Sequence, residues 1–170
     1  MVRDDQWNLP TPCPDWNVTE VLGHVIAGSQ MSAAIAAGAS RAEAIDVLST
    51  EFIDDDPLAA LDIALALQET AFVDSAVDER IYQHPAGDMP GAQLRSLRIS
   101  DLLVHQWDLA RAIGVDEKLD SNVVQIAWDD ISPMAPVIAQ LGVFGNGPSG
   151  TVPDDAPLHE RLLDLMGRRP

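Results

Sequence analysis

The sequence predicts an all-α protein, a bundle of four long helices with short accessory helices. Hydrophobic residues make up 46% of the 170 residues and aromatic residues only 5%, a composition that favours helices over strands. Apolar residues recur at helical spacing in four long segments, which are bounded by residues typical of helix starts and stops. Four long helices of this kind usually pack as a bundle.

The first long helix is predicted to begin after Asn17 and to end near Ala37. Asn17 can cap the helix, and Glu20, three residues later, completes a capping box with it. The prolines before Asn17 keep the chain extended, and Gly38 stands where a glycine commonly ends a helix.

A short helix is predicted over about residues 41–52, and a second long helix over about residues 57–77. Asp56 caps this second long helix, and Pro57 occupies its first turn, a position that proline favours. Residues 80–88 then form an irregular or short extended link, because the stretch contains a proline and a glycine typical of a turn.

The third long helix is predicted over about residues 90–113 and is stopped by Gly114. The fourth begins after Ser121 and should kink or end at Pro133 and Pro136, because proline cannot continue the helical hydrogen bonds. Two further segments are predicted after it: a loop rich in glycine and proline over residues 142–157, and a last amphipathic helix over about residues 158–166.

Charge and composition exclude several classes of function. The formal net charge of −17 repels phosphate backbones and argues against nucleic-acid binding. No apolar run reaches the length of a membrane span, and the first residues lack the pattern of a secretory signal. The single cysteine, Cys13, cannot form an internal disulfide. We therefore expect one soluble, cytoplasmic domain over residues 1–170.

Asp101 and His105 are the residues most suggestive of chemistry. They are four positions apart in the third long helix, which places both side chains on one face, one turn apart. A carboxylate oxygen and an imidazole nitrogen together suit Zn, Ni, Mn or Fe. His24, inside the first long helix, is the candidate for a third ligand. Three protein ligands that leave one coordination position open are typical of a catalytic metal.

The helical pattern on its own favours a different interpretation of Asp101 and His105. Both fall opposite the main apolar side of the helix, in line with Arg98 and Asp108, as on a solvated face that carries charge pairs. Three apolar residues lie beside this polar line, as expected if the face lines a cleft: Leu94, Leu97 and Val104. Both interpretations stay open at this level.

The neighbouring polar residues also have two interpretations each. Asp108 could accept a hydrogen bond from His105 and orient it, or pair only with Arg111. Arg98 and Arg111 could hold an anionic substrate, although surface ion pairs explain them more simply. Cys13 is interpreted as a structural thiol rather than a nucleophile, because prolines flank it and no helix start plainly activates it.

Six blocks spread over nearly the whole chain resemble those of one known family: Trp7, residues 10–18, residues 23–25, residues 101–112, residues 152–157 and residues 167–170. The family is that of the mycothiol-dependent maleylpyruvate isomerase N-terminal domain, within the DinB-like metal-binding superfamily.

The resemblance implies a DinB-like four-helix bundle in which His24, Asp101 and His105 bind one divalent metal, zinc first, with nickel or manganese as alternatives. It also implies mycothiol as a co-substrate. Two departures make the isomerase reaction itself a weaker inference than metal binding. The isomerase has a glutamate at the position of Asp101, and it carries a second, C-terminal domain.

Two functions of different classes follow from these observations. The first is a metal- and mycothiol-dependent transferase or isomerase that acts on a small-molecule electrophile. The second is a non-catalytic helical module, with a vestigial or empty metal site, that binds a partner or forms a homodimer. Metal occupancy with an open coordination position distinguishes the two.

Overall fold

A computed structural model describes residues 2–50, 56–136 and 147–170. Within these residues the chain forms six α-helices and one pair of short strands. The elements are α1 (Val18–Ala36), α2 (Arg41–Leu48), α3 (Pro57–Ala71), β1 (Ile81–His84), β2 (Gly87–Pro90), α4 (Gly91–Ile113), α5 (Ser121–Ile131) and α6 (Leu158–Leu165). The predicted all-α class is confirmed.

The capping box predicted at the start of α1 is present. The backbone N–H of Glu20 donates to Oδ1 of Asn17 at 3.0 Å, and the backbone N–H of Asn17 donates to Oε2 of Glu20 at 2.7 Å. The segment before the helix folds back onto its first turn, where the N–H of Val18 donates to the carbonyl of Leu9. This return fixes the position of Trp16, immediately before the cap, relative to the first turn of α1.

The second long helix is shorter than predicted. Asp56 caps it as expected, but α3 ends at Ala71 rather than near Val77. The side chain of Asp74 accepts a hydrogen bond from the N–H of Ala76, a local turn that competes with helical hydrogen bonding. A separate 3-10 turn follows. The preceding short helix, α2, ends at Leu48, and the end predicted for it at Phe52 lies outside the described residues.

The remaining elements follow the prediction closely. The link after α3 forms an antiparallel pair of strands, with Tyr82 opposite Met89. α4 begins within one residue of the predicted start, and Gly114 follows it with a φ of +71°, a backbone conformation that glycine adopts without strain. α5 ends just before Pro133, and part of the predicted loop over residues 142–157 lies outside the described residues.

The chain divides into two compact units, the first formed by Met1–Val21 with Ile99–Pro170 and the second by Leu22–Arg98. In the first unit, α5 packs against α6. In the second unit, seven residues form a buried apolar cluster: Met31, Ile35, Ala44, Val77, Tyr82, Met89 and Leu94. The prediction of a single domain over residues 1–170 stays a prediction. Among the described helices, none has both the length and the apolar character needed to cross a membrane.

Candidate functional site

The first unit brings Asp101 and His105 together on α4. Oδ1 of Asp101 lies 3.5 Å from Nε2 of His105. Two ligand atoms that each lie about 2.1 Å from one ion at a tetrahedral angle are about 3.4 Å apart. The observed separation therefore fits a shared metal ion, and it is long for a direct hydrogen bond. The predicted chelating pair thus has the spacing that chelation requires.

The two side chains do not lie on a solvated face. Only 6% of the His105 side chain and 17% of the Asp101 side chain are exposed. Trp16, from the segment before α1, lies beside the imidazole, with ring centroids 6.0 Å apart. The interpretation of Asp101 and His105 as surface charge pairs, which helical spacing alone favoured, is wrong. Residues distant in the chain cover this side of α4.

Asp108 orients His105 from the other side of the ring. Its side chain is fully buried, and its Oδ2 lies 2.9 Å from Nδ1 of His105. Asp108 pairs with Arg168, not with Arg111: Nη2 of Arg168 donates to Oδ2 at 2.7 Å and Nε donates to Oδ1 at 3.2 Å. Arg111 instead pairs with Glu117 on the surface, as the simpler interpretation predicted. The orienting role considered for Asp108 is therefore the one that the geometry supports.

The charges of this cluster determine which nitrogen of His105 carries a proton. Burial alone would raise the pKa of Asp108, but hydrogen bonds from His105 and Arg168 outweigh burial and lower the pKa below its ordinary value of 3.8. An ionised carboxylate can only accept hydrogen bonds, so Nδ1 of His105 must donate to it. In the neutral ring the lone pair is then on Nε2, the nitrogen that faces Oδ1 of Asp101. Histidine ligands in metal sites are held in this way by a carboxylate behind the ring.

The pKa of His105 predicts how stability depends on pH. Burial alone would lower this pKa, but Asp101 and Asp108 outweigh burial and raise it above 6.5. A group whose pKa is higher in the folded state stabilises the fold below its unfolded pKa, and this contribution is lost as pH rises through the folded pKa. We expect metal-free protein to lose stability as pH rises above about 6.5, the ordinary pKa of histidine, measured by urea unfolding.

A His105→Gln variant is the control for this pH dependence, because it removes the titrating group and should flatten the stability profile over the same range. An equal slope in both proteins would contradict the assignment to His105.

Cys13 lies near the same cluster but is not poised as a nucleophile. Burial raises the pKa of its thiol, and the nearby Arg168 guanidinium offsets only part of that effect. The reactive form of cysteine is the thiolate, which a raised pKa disfavours. The thiol is free and partly buried. The interpretation of Cys13 as a structural residue is therefore supported.

Arg98 belongs to the second unit and is not a surface residue. It is only 6% exposed, and its guanidinium donates to the side chains of Gln68 at 3.0 Å and Ser29 at 3.1 Å. A Cβ atom at Gly28 would lie 2.5 Å from Nη1 of Arg98, so a glycine there leaves space for the guanidinium. The surface position predicted for Arg98 is wrong.

His24, the third predicted ligand, lies on α1 in the second unit and is half-buried. Asp101 and His105 belong to the first unit. Of the three predicted ligands, the structure therefore establishes the pairing of Asp101 with His105. The full set of three stays a prediction.

Arg168 is the residue that reasoning from sequence missed. It lies after α6, is 4% exposed, and contacts Asp108 sixty positions away in the chain. Residues 167–170 belong to the blocks that carry the family resemblance, but nothing in their pattern links Arg168 to α4. Only the family resemblance of residues 167–170 drew attention to this segment; the spacing of residues in the sequence did not.

Comparison with known proteins identifies a family for most of the chain. Residues 1–110 match the model of the family described as "Mycothiol maleylpyruvate isomerase N-terminal domain". An uncharacterized protein of Mycobacterium tuberculosis is 29% identical over 173 residues, which covers 98% of this chain and 87% of the relative. A second uncharacterized protein of the same organism is 26% identical over 137 residues, 72% of this chain and 53% of that relative. No solved structure gives a significant match.

Proposed function

Since the chain belongs to the family of the mycothiol maleylpyruvate isomerase N-terminal domain, we propose that it is a metal- and mycothiol-dependent enzyme. In this proposal His24, Asp101 and His105 hold one divalent ion, zinc first, with nickel or manganese as alternatives. The reaction is a transfer or isomerisation on a small electrophile, with mycothiol as co-substrate.

The separation of 3.5 Å between Oδ1 of Asp101 and Nε2 of His105 carries this proposal. Two ligand atoms at chelating distance, one of them on a buried ring already held by a carboxylate, form two thirds of a His, carboxylate, His set. In this proposal His24 supplies the remaining imidazole nitrogen. Such a set leaves positions open for a small molecule, as catalytic zinc sites do.

Each residue has a defined part in this function. A bound divalent ion lowers the pKa of a thiol that coordinates it, so that a thiolate forms near neutral pH. Asp108 keeps the proton on Nδ1 of His105, so that the lone pair of the neutral ring is on Nε2, the proposed ligand atom. Asp101 supplies a negative charge through an arm one methylene shorter than a glutamate.

The protein's own thiol does not replace the co-substrate in this proposal. The raised pKa of Cys13 keeps it protonated at neutral pH, so it is a poor nucleophile. Within the described residues Cys13 is the single cysteine, and a thiol-dependent reaction at this site therefore needs a thiol from solution.

The test follows both the thiol and the electrophile. Purified protein loaded with zinc, nickel or manganese is incubated with mycothiol and a panel of small electrophiles, and both are measured over time, because a transfer consumes the thiol whereas an isomerisation regenerates it. We expect conversion of an electrophile that depends on the metal, the thiol and the protein, with loss of thiol as well in a transfer, and no conversion with Asp101→Ala. If metal is bound but no electrophile is turned over, the non-catalytic helical module becomes the better interpretation. If no metal is bound, the enzyme proposal fails.

A further inference from the structure

The guanidinium of Arg168 makes three hydrogen bonds, more than a simple ion pair needs. Its Nε and Nη2 donate to the two carboxylate oxygens of Asp108, at 3.2 Å and 2.7 Å, and its Nη1 donates to the carbonyl of Met166 at 2.8 Å. All three nitrogens of the guanidinium are thus used. Both charged side chains are buried, with 4% of Arg168 and none of Asp108 exposed. This geometry is the paired arrangement in which an arginine recognises a carboxylate most specifically.

The hydrogen bonds from Arg168 to Asp108 also affect the position of His105. The same oxygen, Oδ2, accepts from Nη2 of Arg168 and from Nδ1 of His105, at 2.7 Å and 2.9 Å. A carboxylate gripped at both oxygens cannot rotate about its terminal bond without breaking a charged hydrogen bond. The acceptor for Nδ1 therefore has a fixed position, and the direction of Nε2 is fixed with it.

We infer that Arg168 is a positioning residue, which acts through Asp108 to hold the ring and the proton of His105 in the orientation that metal binding requires. The expected effect on metal binding rests on the proposed function. The contacts of Arg168 with Asp108, and of Asp108 with His105, do not depend on it. Arg168 lies outside residues 1–110, the segment that matches the family model. The segment after α6 therefore supplies a supporting contact for a site formed by a helix far from it in the chain.

The neighbouring arginine provides a matched control. Arg169 donates to Asp164 at 3.2 Å and to the carbonyl of Gly147 at 3.2 Å, and 51% of its side chain is exposed. It lies one residue from Arg168, carries the same charge, and has no hydrogen bond with Asp108 among the contacts of the described residues. Its removal should leave His105 unaffected.

The experiment measures zinc affinity by competition with a coloured chelator, on folded protein well below its unfolding temperature. We expect Arg168→Gln to weaken zinc binding by about 10–100-fold, as removal of outer partners of a metal ligand does. Arg169→Gln should bind zinc like the wild type. Arg168→Lys keeps the charge opposite Asp108 and so preserves folding, but one ammonium cannot grip both oxygens, and an intermediate loss is expected.

A second measurement separates this inference from the proposed function. The Nδ1–H proton of His105 is followed by NMR in metal-free protein, where its hydrogen bond to Asp108 should protect it from exchange with water. We expect that protection to be lost in Arg168→Gln and reduced in Arg168→Lys. If the wild type binds no zinc but the proton behaves as described, the metal proposal fails and the positioning role stands. If both variants keep wild-type protection and wild-type zinc affinity, the inference is overturned.

Discussion

His105→Ala is expected to abolish the binding of about one divalent ion per chain that we predict for the wild type. The substitution removes the nitrogen that lies 3.5 Å from Asp101, and it leaves only two of the three proposed ligands, Asp101 and His24. The loss of affinity should exceed the about 10–100-fold typical of an outer partner, because a direct ligand is lost. Metal content is measured by elemental analysis after loading with zinc and removal of unbound metal.

His159→Ala is the matched control for metal binding. His159 lies on α6 and is exposed, so the substitution removes an imidazole that could bind zinc only adventitiously. It should retain the full metal content. If His105→Ala retains metal as well, His105 is not a ligand, and the interpretation of the Asp101–His105 pair is wrong.

Asp108→Ala is expected to destabilise the protein by about 3–5 kcal/mol, the cost usually seen when one partner of a buried ion pair is removed. Arg168 would keep its charge in a buried position without the carboxylate that compensates it. His105 would also lose its hydrogen bond at Nδ1. The free energy of unfolding is measured by chemical denaturation of metal-free protein.

An exposed ion pair serves as the comparison. Asp88 accepts from Arg41 at 2.6 Å, yet the two side chains are 61% and 45% exposed. Asp88→Ala should therefore cost only about 0–1 kcal/mol. Replacing both buried partners, in Asp108→Leu/Arg168→Met, should recover much of the stability, because no unpaired charge remains. A cost for Asp108→Ala as small as that for Asp88→Ala would show that the buried network does not stabilise the fold.

The helices could be predicted where local chemistry decides them. The capping box of Asn17 and Glu20 depends only on neighbours in the chain, and so does the end of α4 at Gly114. The end of α3 could not be placed, because the apolar pattern continues beyond Ala71 while the turn at Asp74 interrupts the helix. The spacing of apolar residues does not show that one side chain, here that of Asp74, accepts a hydrogen bond from a backbone N–H that a continued helix would use.

The candidate site, like the helices, could be predicted from the sequence only in part. The spacing of Asp101 and His105 was sufficient to predict that they meet, because one turn of α4 determines it. Their shielding from solvent was not predictable from α4, because Trp16, which lies beside His105, and Arg168, which contacts its partner Asp108, come from distant parts of the chain. A helical pattern describes one helix and its own faces. It contains no information on what another segment places over a polar face.

The most direct measurement of the central claim is anomalous X-ray scattering from crystals of the zinc-loaded protein. We predict one zinc ion with ring nitrogens of His24 and His105 and a carboxylate oxygen of Asp101 within about 2.0–2.2 Å, and at least one position open to solvent. Absence of the ion after loading, or an ion held by other residues, would contradict the account.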